Sequence, residues 1–145
     1  MTKNTNNRIA QVEIIIYKIV NQSPLFLLLK RIPERGGFWQ AITGGVNKEE
    51  DTIKAAKREV REETGIKNYL NFIDNVYYFE FDNDFQKGIK EYVFGAEIGK
   101  DVKIKLSDEH SEEKWCDIRE ALQFLKYETN KTAFKKLFNL INKEL

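Results

Sequence analysis

Glu59, Glu62 and Glu63 stand at i, i+3 and i+4 in the stretch GGVNKEEDTIKAAKREVREETGI, residues 44–66. On a helix, about 100° per residue brings all three to one face, beside the apolar stripe rather than opposite it. Like charges at this spacing repel by up to about 0.5 kcal/mol per pair. A hard divalent cation reverses that sign, because clusters of carboxylate oxygens suit Mg²⁺ or Mn²⁺. Glu50, just before the helix, is placed to reach back to the same face. Lys54, Lys57, Arg58 and Arg61 would neutralise the same acids if the helix were a plain solvated surface. Its flanks therefore decide between the two readings.

The helix that must hold these acids is expected over 52–64, with Asp51 as N-cap and Gly65 as the left-handed stop. Ile53, Ala56, Val60 and Thr64 form its apolar stripe. Ahead of it, β-branched-rich 11–20 and apolar 25–30 read as strands joined by a turn of Asn21, Gln22, Ser23 and Pro24. Residues 38–42 read as a short strand running into Gly44 and Gly45. Beyond the helix, 70–81 and 89–98 read as strands around the turn-prone 82–88, and 102–106 alternates as a third. Asp117 with Glu120 forms a capping box for a helix through Lys126. A last helix buries Ala133, Phe134, Leu137, Phe138 and Ile141. This order predicts an α+β sandwich in one domain over residues 1–145, with Asn-rich residues 1–8 as a frayed end.

Lys and Arg number 24 against 23 Asp and Glu, in a chain of 145 residues. That balance argues against a nucleic-acid binder driven by bulk charge, so phosphate handling must be local. No apolar run approaches the length of a membrane span, and the first seven residues lack the apolar core of a secretion signal. Cys116 is the single cysteine, which excludes an intrachain disulfide and makes a reducing cytoplasm the expected compartment.

The segment resembles the Nudix hydrolase box. Gly44, Glu50, Arg58, Glu59, Val60, Glu62, Glu63, Gly65 and Ile66 occupy every specified position, a coincidence of about one in a billion per start at average composition. The resemblance implies an α/β/α sandwich with a mixed central sheet and the box as loop, helix and loop. It also implies a divalent metal, usually Mg²⁺ (with Mn²⁺ as the other choice), bridging a diphosphate, and attack of water on phosphorus. Glu59, Glu62 and Glu63 then correspond to the metal ligands and water-activating group, and Arg58 to the residue that pairs with a box carboxylate such as Glu50. Gly44 and Gly45 would let backbone approach metal or phosphate. Glu49 stands where many members have a second glycine, which singles out the geometry of that loop.

In some members a glutamate on a later loop takes the proton. Leu106, Ser107, Asp108, Glu109 and His110, ahead of Trp115, resemble that loop, with Glu109 the candidate base, Asp108 an outsider and His110 a hydrogen-bonding residue.

Outside the box, a patchier similarity from about 11 to 141 points to the dihydroneopterin triphosphate pyrophosphatase (dATP pyrophosphohydrolase) branch. It rests on Lys30, Arg31, the run from Gly37 to Gly45, Glu109, His110, Lys114 and Trp115. This resemblance implies a small nucleoside or pterin triphosphate as partner, split to monophosphate and pyrophosphate. Lys30, Arg31 and Arg35 are candidates for the outer phosphates, and Phe38 and Trp39 for stacking on a planar ring, although strand neighbours point opposite ways. ADP-sugar members carry a proline after the box, whereas Pro24 and Pro33 both precede it. Dinucleoside polyphosphate hydrolysis is the second reading and a non-catalytic nucleotide sensor the third. RNA 5′-end processing finds no support in a net charge of +1. Monomer and homodimer both stay open.

Overall fold

The computed structural model describes residues 10–145; the frayed end expected at 1–8 lies outside them. The first strand, β1 (Ala10–Val20), runs through the middle of a seven-stranded mixed sheet. It pairs in parallel with β6 (Ile89–Glu97) along one edge. Along the other edge its first half is antiparallel to β4 (Ile42–Gly45) and its second half to β2 (Ser23–Arg31). The β1–β2 hairpin turns on Asn21 and Gln22, both at positive φ (52° and 66°), the conformation of a two-residue primed turn. Pro24 already belongs to β2, opposite Ile19.

The strand expected over 38–42 is two strands. β3 (Trp39–Gln40) pairs with β2, and β4 crosses to β1 after a break at Ala41. β5 (Asn71–Phe81) closes the sheet against β6, with a shift of register between Ile73 and Tyr77 where Asn75 has φ 55°. Residues 102–106, expected as a strand, are irregular. Their backbone is spent instead on the end of the box helix, where Lys105 and Ser107 N–H groups donate to the carbonyls of Thr64 and Glu63. The strand β7 (His110–Cys116) has charged residues at 112–114 and shows little apolar alternation, yet it pairs along the free edge of β2.

Helix α1 (Thr52–Thr64) starts and stops where expected: the Asp51 side chain accepts from Lys54 N–H, and Gly65 adopts φ 78°. Ala55, Ala56 and Val60 face the sheet, while Ile53 is displaced from the stripe and 39% exposed. Asp117 and Glu120 form the expected reciprocal cap on α2 (Ile118–Phe124), which ends short of Lys126. The last helix is α3 (Glu128–Asn142).

Alternation along β1 divides the core. Val12, Ile14 and Ile16 pack under α1, and Ile15 and Tyr17 pack under α2 and α3 with Phe26, Phe134 and Leu137. Each such side chain, once buried, contributes about 1.5–3 kcal/mol. The result is the expected α+β sandwich, with α1 on one face of the sheet and α2 and α3 on the other.

Candidate active site

The loop from β4 to α1 is closed by Arg58. Its Nε donates to Glu50 Oε2 (2.8 Å) and its Nη2 to Glu50 Oε1 (3.1 Å) and to the carbonyl of Gly45 (2.8 Å). The remaining Nη1 donates to Glu59 Oε2 (2.9 Å) and Glu62 Oε1 (3.2 Å). One planar guanidinium thus gathers three carboxylates and a backbone carbonyl, a fork that lysine has no geometry to replace. Arg58 holds the Glu50 carboxyl below its usual range.

Gly44 explains itself sterically. A Cβ there would lie 2.0 Å from Glu59 Cδ, so the missing side chain is the space that the Glu59 carboxylate occupies. Burial pushes the Glu59 carboxyl up, against the pull of Arg58, and repulsion from Glu62 and Glu63 adds to the rise. At Gly45 a Cβ would meet nothing, and its contribution is the carbonyl offered to Arg58. Glu49, where a glycine was the family habit, sits at φ 69°.

Glu63, at 5% exposure, is held from the other side. Its Oε1 accepts from Ser107 Oγ (2.5 Å) and lies 3.0 Å from His110 Nδ1. Burial raises this carboxyl, but His110 and Ser107, with the nearby charge of Arg31, outweigh it and leave it below its usual range. Both contacts follow from the stitching of the 105–107 loop to the end of α1.

The second oxygens, Glu59 Oε1, Glu62 Oε2 and Glu63 Oε2, carry no protein hydrogen bond among the described residues. Three hard oxygen donors from one helix face are chemically suited to a divalent cation. Among the described residues no three acidic, histidine or cysteine groups converge as a finished cage.

The other expected residues spread along the β2 end of the sheet. Lys30 Nζ lies 3.8 Å from Glu112 Oε2 and 5.9 Å from the Trp39 ring centre. Arg35 Nη1 lies 3.6 Å from Glu109 Oε1, so the candidate base sits in a half-exposed ion pair. Trp39, partly buried against the core cluster beneath α2 and α3, packs edge-on to Phe124 at 6.1 Å. Phe38, its neighbour, instead lines a cleft of about 590 Å³ with Arg31, Phe79, Phe81 and Tyr127. Arg31 carries a buried Nε with no hydrogen-bond partner among the described residues.

Sequence alone assigns no role to four residues at or near this site. Ser107 is one of them, a loop residue whose hydroxyl reaches Glu63. Glu13, Glu91 and Asn130 meet at the cleft, where Asn130 Nδ2 donates to Glu13 Oε1 at 2.9 Å. A signal was available for both acids, since Glu13 shares strand parity with buried Ile15 and Tyr17, and Glu91 with buried Val93.

Residues 10–138 match the NUDIX domain. An octanoyltransferase of Myxococcus xanthus is 32% identical over 126 residues, 86% of this chain and 35% of that protein, so the chain spans about a third of it. A dihydroneopterin triphosphate diphosphatase of Haemophilus influenzae is 29% identical over 153 residues, covering 97% and 93% of the two chains. The asymmetrical bis(5′-nucleosyl)-tetraphosphatase of Rattus norvegicus is 30% identical over 124 residues, covering 84% of each. Among solved structures, the E. coli dihydroneopterin triphosphate pyrophosphohydrolase superposes with a TM-score of 0.79 at 25% identity, over 92% of this chain and 97% of that one. A C. elegans Ap4A hydrolase gives 0.80 at 22% identity, over 92% and 98%, a likeness of fold. With its box complete and the domain match running from the first described strand into the last helix, the chain belongs to the Nudix family and has that family's α+β fold.

Proposed function

We propose that the chain acts as one domain and is a Mg²⁺-dependent pyrophosphohydrolase that splits a nucleoside or pterin triphosphate into monophosphate and pyrophosphate. The observation that carries this reading is Arg31. It lines the cleft, its buried Nε has no hydrogen-bond partner among the described residues, and its charge reaches Glu63. A planar ring in the aromatic cleft would set its phosphates beside Arg31, with the box carboxylates beyond. Anionic phosphate oxygen is the natural acceptor for an orphaned guanidinium N–H.

Nudix hydrolases generally use a divalent metal. Glu59, Glu62 and Glu63 would hold it, and when bound it supplies charge neutralisation and a more acidic water. Arg58 keeps Glu59 and Glu62 turned to one side, and Ser107 and His110 hold Glu63. Lys30 and Arg35, on either side of Arg31 in the chain and beside Glu112 and Glu109, are the further cations assigned to the outer phosphates. Glu109, on the loop that contacts Arg35, is the assigned proton acceptor.

The test is pyrophosphate release from dNTPs, dihydroneopterin triphosphate, diadenosine tetraphosphate and ADP-ribose, with Mg²⁺ and with EDTA, in ¹⁸O-labelled water. Chelation abolishes turnover, and Glu63→Gln lowers kcat by roughly a hundredfold or more, equivalent to about 2.7 kcal/mol of barrier. Unchanged turnover in that variant removes the box from the mechanism. The similarity to the rat tetraphosphatase favours one second reading, hydrolysis of dinucleoside polyphosphates. Faster cleavage of diadenosine tetraphosphate than of any triphosphate would select it.

A further inference from the structure

Two carboxyls at the base of the cleft have no part in the hydrolysis just described. Glu13 of β1 is 0% exposed and Glu91 of β6 3% exposed, and Glu91 itself lines the cleft. No salt bridge to either occurs among the described residues. Glu13 Oε1 accepts from Asn130, while Glu13 Oε2 and Glu91 Oε1 are buried without any hydrogen-bond partner among the described residues. Burial raises both carboxyls, Glu91 to about 7, and Glu91 raises Glu13 further. Unpaired acceptors in a closed interior are costly, and a ligand that brings N–H donors removes the cost.

The ligand's shape follows from the walls. Phe38, Phe79, Phe81 and Tyr127 make them aromatic, and the volume suits a flat heterocycle. Its hydrogen-bonding edge follows from the count of donors and acceptors. Two carboxyls that share one proton offer three acceptor oxygens for each O–H, and the Asn130 amide N–H₂ already serves Glu13. Two adjacent N–H groups fit that count better than the alternating donor and acceptor of an adenine edge.

We propose that Glu91, backed by Glu13 and Asn130, selects a 2-amino-4-oxopyrimidine edge, the face shared by guanine and pterin, whose ring N–H and amino N–H donate to its carboxylate. This inference rests on the triphosphatase reading and narrows it from nucleoside or pterin triphosphates in general to those carrying that edge.

The experiment compares kcat/KM at pH 8 for dGTP, dITP, dATP and dihydroneopterin triphosphate. dITP lacks only the amino group. The expected result is a preference for dGTP or the pterin over dITP of roughly ten- to a hundredfold, the worth of one hydrogen bond to a charged group, and at least as much over dATP. The faster of the two favoured substrates identifies the source of the edge. Glu91→Gln, an isostere that relieves the buried charge, brings the dGTP to dITP ratio to within a few-fold of one. dITP or dATP turned over as fast as both favoured substrates, or a ratio unmoved in Glu91→Gln, overturns the inference. Should no triphosphate be cleaved with any divalent ion, the hydrolase reading fails separately. Calorimetry of GMP against IMP then decides edge recognition by itself: tighter GMP binding upholds it and equal binding sinks it.

Discussion

Glu59, Glu62 and Glu63 carry the same side chain on little more than one turn of α1, and the fold gives them three surroundings. Glu62 is exposed, Glu59 lies in the space left by Gly44, and Glu63 is clamped by Ser107 and His110. Glu91 shows the opposite balance to Glu63. Its carboxyl titrates near 7 when folded and near 4.5 when exposed, so the unfolded chain releases its proton first as pH rises. Stability from this group is therefore undiminished below pH 4.5, falls between about 4.5 and 7, and stays low above that. Glu91→Gln removes the penalty and is expected to stabilise the protein by about 3 kcal/mol at pH 8 and by almost nothing at pH 4, measured by urea unfolding at both. Equal effects at the two pH values would mean that the carboxyl is not held against its charge.

At the scale of elements, the loop into α1 shows how a side chain can occupy a glycine's conformation. Glu49 has φ 69°, which costs an ordinary residue about 1–2 kcal/mol, whereas glycine enters it freely but loses more freedom on folding. The difference predicts that Glu49→Gly stabilises by about 0.5–1 kcal/mol, read as a higher urea midpoint with unchanged slope. A lower midpoint would show that the Glu49 side chain, rather than its backbone, matters to the loop. The α1 terminus is fixed differently, by backbone bonds from residues 105 and 107, so the segment expected as a strand serves as a brace for the helix.

At the scale of the molecule, the sheet is a partition. α1 and the box pack on one face; the cleft opens on the face covered by α2 and α3, and Arg31 at the end of β2 is within electrostatic reach of Glu63. Phe134, fully buried and edge-on to Phe26 at 5.7 Å, anchors α3 to this partition. Phe134→Ala is expected to cost about 3–5 kcal/mol in urea unfolding, and because α3 also carries Asn130, to raise KM more than it lowers kcat. A loss under about 1 kcal/mol would mean that α3 docks by other contacts.

Local chemistry was legible in the chain itself. The α1 boundaries, both of its end caps and the capping box of α2 are set by neighbours within about a turn or two of backbone, so residue types and spacing suffice to find them, whereas the Arg58–Glu50 pair follows only from the resemblance to the box. The box was legible for the same reason, as a contiguous motif. Tertiary structure alone decided what depends on distant partners. β7 forms because β2 has an open edge, although its charged sequence does not advertise a strand. Ser107 reaches Glu63 across a separation of 44 residues, and Asn130 reaches Glu13 across 117. Whether Phe38 or Trp39 faced the cleft was likewise settled by which of them α2 could cover. Sequence order carries short-range geometry because the backbone is stiff over a few bonds; which remote side chains share a cavity is fixed only once the sheet has closed.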